Sequence, residues 1–172
     1  LLRYVDERFV PFVALGGFAG LRSIEILRLE WEDVWFEKGF IEVGREKSKT
    51  ATRRLVPICP ALDAWLKPRA KESGPVLPDI RNEVHFTRLF HAAKETLNDE
   101  KGVPRVKLVH NGLRHSFCSY RMAETKSAAQ VALEAGNSPK MLFEHYRELV
   151  TEAEAKEWFS LAPKKVQRAV AS

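Results

Sequence analysis

The chain has 172 residues, 45% of them hydrophobic, and a formal charge of +5 with a pI near 9.3; it can bury one substantial core and is too short for a second full domain. Its longest apolar stretch, FVPFVALGGFAGL, is broken by Pro11, Gly16, Gly17 and Gly20 and falls short of the ~20 residues of a membrane span, so no transmembrane helix is expected. Cys59 and Cys118 stand far apart without a CxxC or Cys/His pattern, which argues for two reduced thiols rather than a disulfide framework or a zinc site. The basic balance is a mild hint of a polyanionic partner. The chain starts at Leu1, without the basic n-region and small-residue cleavage site of a signal peptide, and reads as a piece of something longer.

Residues DERFVPFVALGGFAGLRSIEILRLEW carry apolar positions at helical spacing on both sides of Gly16, Gly17 and Gly20, which predicts two helices joined at a Gly-rich corner, with Arg22 at the start of the second. DVWFEKGFIEVGREKSKTATRRLVPI is rich in aromatic and β-branched residues and reads as short antiparallel strands, GREKSKTATRR being the exposed hairpin turn. CPALDAWLKPRA predicts a helix with Pro60 near its first turn and Pro68 ending it. ESGPVLPDI is a loop. From Asn82, a plausible cap, Val84, Leu89, Phe90, Ala93 and Leu97 recur at roughly helical intervals. After the linker DEKGVPRVK come helices over about 112 to 124, Ser127 to Ala135, Pro139 to Tyr146 and Thr151 to Leu161, the last with Thr151 and Glu154 as a capping box. The basic tail over residues 163–172 is expected to be mobile, leaving one domain over 1–162. The expected class is mainly α with a small antiparallel β-sheet, an α+β arrangement.

VHNGLRHSFCSYRMA places His110, Asn111, Arg114 and His115 at one helix start; this is either ordinary capping and solvation or a cluster that holds an anion. Arg22 alone reads as a solvated charge and Tyr146 alone as a half-buried helix residue. The turn residues Arg45, Lys47, Lys49, Arg53 and Arg54 are balanced there only by Glu46, and phosphate contact is the better reading. His145 reads as surface or packing.

Taken together and in order, these residues resemble the catalytic domain of the tyrosine recombinases, the phage-integrase family. Arg22, Glu25, Leu29, Trp31 and Asp33 match its GLR-x-x-E and Leu-x-Trp-x-Asp segments. Lys49 with Arg54, Val56 and Pro57 matches its hairpin lysine and Arg-x-Val-Pro strand. Asn111, Arg114 and His115 match part of its His-x-x-Arg-His element, and Gly136, Asn137 and Tyr146 its Gly-His segment with a tyrosine nine residues after the His. The match runs from about Val10 to Tyr146 at near-family spacing.

The resemblance implies a DNA breaking-rejoining fold and a metal- and ATP-independent DNA strand transferase that needs no cofactor. Tyr146 would attack a phosphodiester to give a 3′-phosphotyrosine and a free 5′-hydroxyl. The planar guanidiniums of Arg22 and Arg114 would clamp the nonbridging oxygens as charge builds on them. Lys49 would protonate the leaving 5′-oxygen, with Arg45, Lys47, Arg53 and Arg54 on the DNA backbone.

Asn111 and Asn137 depart from the family, which has His, or His or Trp, at those positions. An amide can donate a hydrogen bond to phosphate but cannot exchange a proton at working pH. That keeps an electrostatic contribution of ~10²–10³ in rate and drops an acid–base one of ~10²–10⁴, so a slower enzyme is expected before a dead one. His110 is an obvious substitute, and His115, matching the family's Arg-His pair, a supporting residue.

The implied partners are double-stranded DNA and further copies of the chain, a homo-oligomer (a tetramer) on DNA joined through the C-terminal helix, with no membrane. The implied location is cytoplasmic and nucleoid-associated, of bacterial or phage type. Trp158 and Phe159 are then either intramolecular core or an anchor into a neighbouring protomer. The chain would be the C-terminal, catalytic half of a site-specific recombinase or integrase. Two other readings stand beside it: a type IB topoisomerase-like nicking-closing enzyme, and a non-catalytic DNA-binding remnant of a mobile-element integrase.

Overall fold

The computed structural model describes Leu2, Ile80 and residues 5–47, 53–78, 82–99, 111–146 and 150–163. Lys49, His110, most of the linker and the tail from 164 onward lie outside them. Helix α1 (Val10–Phe18) is buried along its whole length, as its almost wholly apolar sequence requires. It ends at a corner where Gly20 has φ +63°, and α2 (Ser23–Leu27) follows. Strands β1 (Val34–Trp35), β2 (Phe40–Val43) and β3 (Arg54–Pro57) form an antiparallel sheet in sequence order.

Register pairs Val34 with Ile41, Ile41 with Val56 and Val43 with Arg54. Side chains alternate across a strand, so Ile41, Val43 and Val56 face the core and Leu55 faces outward at 45% exposure. The same alternation turns Arg54 inward to 7% exposure.

Helix α3 (Pro60–Leu66) gives way to a 3₁₀ turn over Lys67–Arg69, so Pro68 stands just past the α-helix it was expected to end. In α4 (Glu83–Asp99) Asn82 is the cap, its side-chain oxygen accepting from His85 N–H at 2.8 Å. Phe86, Leu89 and Phe90 face the core, and Phe86 and Phe90 pack on Phe9 and Phe12. Val84, expected on that face, is 80% exposed, because the stripe starts two residues later.

The C-terminal helices are α5 (Gly112–Thr125), α6 (Ala128–Ala135), α7 (Pro139–Tyr146) and α8 (Glu152–Phe159). The capping box of α8 is present, with Glu154 and Thr151 satisfying each other's backbone N–H groups. Helix α8 packs on α5 and α3 of its own chain. Trp158 stacks on Tyr120 at 4.3 Å and 10° and donates to the Gly17 carbonyl at 3.0 Å, and Phe159 is buried against Phe117. Within this chain both rings have intramolecular partners. Cys59 and Cys118 are free thiols, and burial pushes the Cys118 thiol up to about 11.

Candidate catalytic site

The site grows from a single buried carboxylate. Glu25 is fully buried in the first turn of α2. One of its oxygens accepts the backbone N–H of Arg22 at 2.8 Å, and the other accepts the Arg22 guanidinium at 3.2 Å. From β3, Arg54 reaches both oxygens, at 3.0 and 2.6 Å, while its Nε donates to the Glu134 carbonyl at 3.0 Å. Burial alone would raise the Glu25 carboxyl, but the hydrogen bonds and charges of Arg54 and Arg22 outweigh it and hold the group below the usual range. Such fork-on-fork pairing fixes direction as well as charge.

Arg54, expected on the DNA backbone, is turned inward here: its three guanidinium nitrogens all have internal partners, and it props Glu25, which in turn orients Arg22. The alternation of R-L-V-P was the signal: it puts Arg54 on the face of buried Val56.

The second arginine comes from α5. Arg114 is 7% exposed; it donates one Nη to the Gly20 carbonyl and the other to Asn137 Oδ1 at 2.7 Å. Arg22 donates to the Gly136 carbonyl at 2.7 Å and to the same Asn137 Oδ1 at 3.1 Å. Two guanidiniums therefore converge on one oxygen. Burial, then the nearby charge of Arg22, pushes Arg114 down to about 10, so the pair is held together against its own repulsion.

Two glycines make this approach possible. Gly20 and Gly136 both have positive φ, +63° and +66°, a region that strains other residues. A Cβ on Gly20 would lie 2.2 Å from the Phe117 ring, and one on Gly136 would lie 3.2 Å from Arg54 and 3.3 Å from Arg22. Gly136 ends α6, and the Asn137 N–H returns to the Ala132 carbonyl at 3.0 Å, which pins the residue that bridges the arginines.

Tyr146 is the last residue of α7 and is buried. Its hydroxyl makes a short hydrogen bond with His115 Nδ1, and the rings stack at 5.6 Å and 30°. Burial pushes the phenol above its usual range; Cys118 adds to this and Arg114 opposes it.

Thus Arg22, Arg114 and Asn137 meet, and the electrostatic reach of Arg114 and Cys118 joins Tyr146 and His115 to them. Asn111 does not join them. It is exposed at the start of α5 with φ 54° and makes no side-chain capping bond. His145 is exposed. On the hairpin, Lys47 is held by Glu30 and Asp33 at 2.8 and 2.7 Å, Arg53 pairs with Glu42 at 2.5 Å, and Arg45 is exposed. Glu25 as the hub, and the two carbonyls that receive the arginines, were not anticipated. Among the described residues no group of three or more His, Cys, Asp or Glu could hold a metal, and no helix is long and apolar enough to cross a membrane.

A model of the phage integrase family matches residues 12–149, and the chain belongs to that family. Its fold is that of tyrosine recombinase catalytic domains. It is similar to the Tn1549 transposon integrase solved with a circular intermediate DNA, at 17% identity and a TM-score of 0.63, over 93% of this chain and 62% of that one. It is also similar to XerA recombinase, at 18% identity and a TM-score of 0.59, over 90% and 58%. The chain therefore spans about 60% of the length of these structures. A search of curated proteins found no match.

Proposed function

We propose that the chain is the catalytic domain, residues 1–162, of a DNA recombinase or integrase that cuts and rejoins duplex DNA through a 3′-phosphotyrosine on Tyr146. The observation that carries this reading is the convergence of Arg22 and Arg114 on one oxygen, Asn137 Oδ1. That carbonyl oxygen stands in for a nonbridging phosphate oxygen. When DNA enters, the phosphate takes over both guanidinium contacts and the Asn137 amide turns its NH₂ toward it as a donor. The arginines then stabilise the charge that develops at five-coordinate phosphorus. Lys49 supplies the proton to the departing 5′-oxygen. No metal or nucleotide takes part.

Double-stranded DNA is the partner, met by Arg45 on the hairpin, and the active form is a homo-oligomer on DNA. The C-terminal helix, which carries Trp158 and Phe159, joins the copies in that assembly. The work takes place in a bacterial or phage-type cytoplasm at the nucleoid.

The test is a nicked suicide duplex built on inverted repeats sought in the DNA flanking the gene, incubated with the chain and run on a denaturing gel. A covalent protein–DNA band that vanishes in Tyr146→Phe is the expected outcome. Salt-sensitive DNA binding with no band would instead identify a non-catalytic remnant. Relaxation of supercoiled DNA without strand exchange would identify a topoisomerase-like enzyme.

A further inference from the structure

We infer that His115 is the catalytic base that takes the proton from the Tyr146 hydroxyl, an assignment that rests on the strand-transfer reading above. At the two positions where the resemblance calls for His, and for His or Trp, stand Asn111 and Asn137, and neither amide can accept a proton near neutrality. Asn137 is occupied by the arginines, and Asn111 makes no capping bond and lies exposed. The phenol's partner is instead Nδ1 of His115.

The placement follows from α5. Arg114 and His115 are consecutive, and consecutive helical residues point about 100° apart. One turn of helix therefore sends a guanidinium inward to the phosphate position and an imidazole sideways to the nucleophile. Ring stacking with Tyr146 fixes the imidazole plane, so that in the Nε2–H tautomer the Nδ1 lone pair faces the hydroxyl. The burial that raises the phenol makes such a base necessary. Among the described residues, the other titratable or charged groups that face the pair are Arg114 and Cys118 on α5, and Lys126 with Glu152, which line the same cavity as Tyr146 and pair with each other at 2.9 Å; His145, next to Tyr146 on α7, is exposed.

In the cleavage step the Tyr146 O–H bond breaks and its proton passes to Nδ1. The phenolic oxygen bonds to phosphorus, the bond from phosphorus to the 5′-oxygen breaks, and that oxygen leaves with the electron pair and takes a proton from Lys49. Rejoining reverses each transfer: the attacking 5′-hydroxyl returns its proton to Lys49, and the imidazolium reprotonates the tyrosine.

The experiment uses the suicide duplex above with sulfur in place of the scissile 5′-oxygen. A thiolate leaves without protonation, so the rate reports activation of the nucleophile. The wild-type rate is expected to rise with pH as the imidazole becomes the free base. His115→Gln is expected to slow adduct formation by ~10²–10⁴, to lose that rise, and to be rescued by added imidazole. An unchanged rate in His115→Gln, or a lower rate with the same pH profile and no rescue, overturns the assignment while leaving the strand-transfer reading in place. No adduct from the wild-type chain overturns both. In the DNA-free chain, nitrogen NMR of the imidazole should find Nδ1 unprotonated and its shift moved by Tyr146→Phe; a protonated Nδ1 would overturn the assignment without any DNA.

Discussion

Two charge clusters meet α5, one through Arg114 and the other, about two turns on, through Arg121, and they differ in arithmetic. In one, three guanidiniums, Arg22, Arg54 and Arg114, gather around the single carboxylate of Glu25. In the other, the one guanidinium of Arg121 meets two carboxylates, Glu124 and Glu134, the latter also taking the Gln130 amide. The second cluster has no positive charge left over, and its hydrogen bonds push Arg121 far above its usual range; it ties α5 to α6 and can do nothing with a phosphate. The first retains excess positive charge and fills the gap with a neutral amide oxygen. Burying a charge without full pairing is expensive, and perturbed groups of this kind gather at functional sites. The mismatch marks the site; the match marks the scaffold.

The sharpest way to break the contrast is to remove the hub. Glu25→Gln leaves Arg22 and Arg54 buried against a neutral group, and loss of one partner from a buried pair costs about 3–5 kcal/mol. Denaturant unfolding at neutral pH should show this loss. Because the Glu25 carboxyl titrates lower in the folded chain than its ordinary 4.5, its contribution is present above about pH 4.5 and disappears as pH falls through the lowered folded value. Wild type and variant should therefore converge in stability under acid, and a constant gap down to pH 2 would mean that Glu25 is not the charge that holds the arginines.

A second variant converts one cluster toward the other. Asn137→Asp adds a carboxylate where the two guanidiniums meet, so that the site approaches the charge balance of the Arg121 cluster. Folding stability should hold or rise, while the rate of covalent adduct formation should drop by ~10²–10³ as the phosphate loses its claim on the arginines. Unfolding curves and adduct kinetics on the same preparation check both halves. Equal cleavage by Asn137→Asp would show that the phosphate does not sit between Arg22 and Arg114.

How far the sequence reached follows the same division. Helix order was legible because apolar spacing needs only local periodicity, and the ordered set Arg22, Lys49, Arg114 and Tyr146 carried the family. What stayed hidden was direction. Arg54 sits in a basic run that looks like a DNA-facing loop, yet strand alternation turns it inward beside Val56. Val84 and Phe86 are two residues apart on α4, and only the aromatic cluster of Phe9 and Phe12 decides which of them is core. Trp158 and Phe159 would show the same apolar pattern whether they covered their own chain or a neighbour. His115 and Tyr146 are 31 residues apart, on helices whose meeting no local pattern announces.

The basic hairpin turn allows the smallest test. Lys47 was expected on the DNA backbone, but Glu30 and Asp33 hold its ammonium. Burial lowers its affinity for the proton, and the hydrogen bonds from Asp33 and Glu30 more than restore it, so that the group titrates above its ordinary 10.5. Its contribution to folding is thus complete at neutral pH and fades only as pH rises past that range. Lys47→Met should cost about 1–3 kcal/mol, because it leaves the largely buried Asp33 carboxylate without its charged donor, and should leave the slope of log affinity against log salt for duplex DNA unchanged. Arg45→Met, which removes an exposed charge from the same turn, should flatten that slope by ~0.9, the release expected for one phosphate contact. A flattened slope in the Lys47 variant would mean that DNA draws this lysine away from its two carboxylates, making the ion pair a latch that the substrate opens.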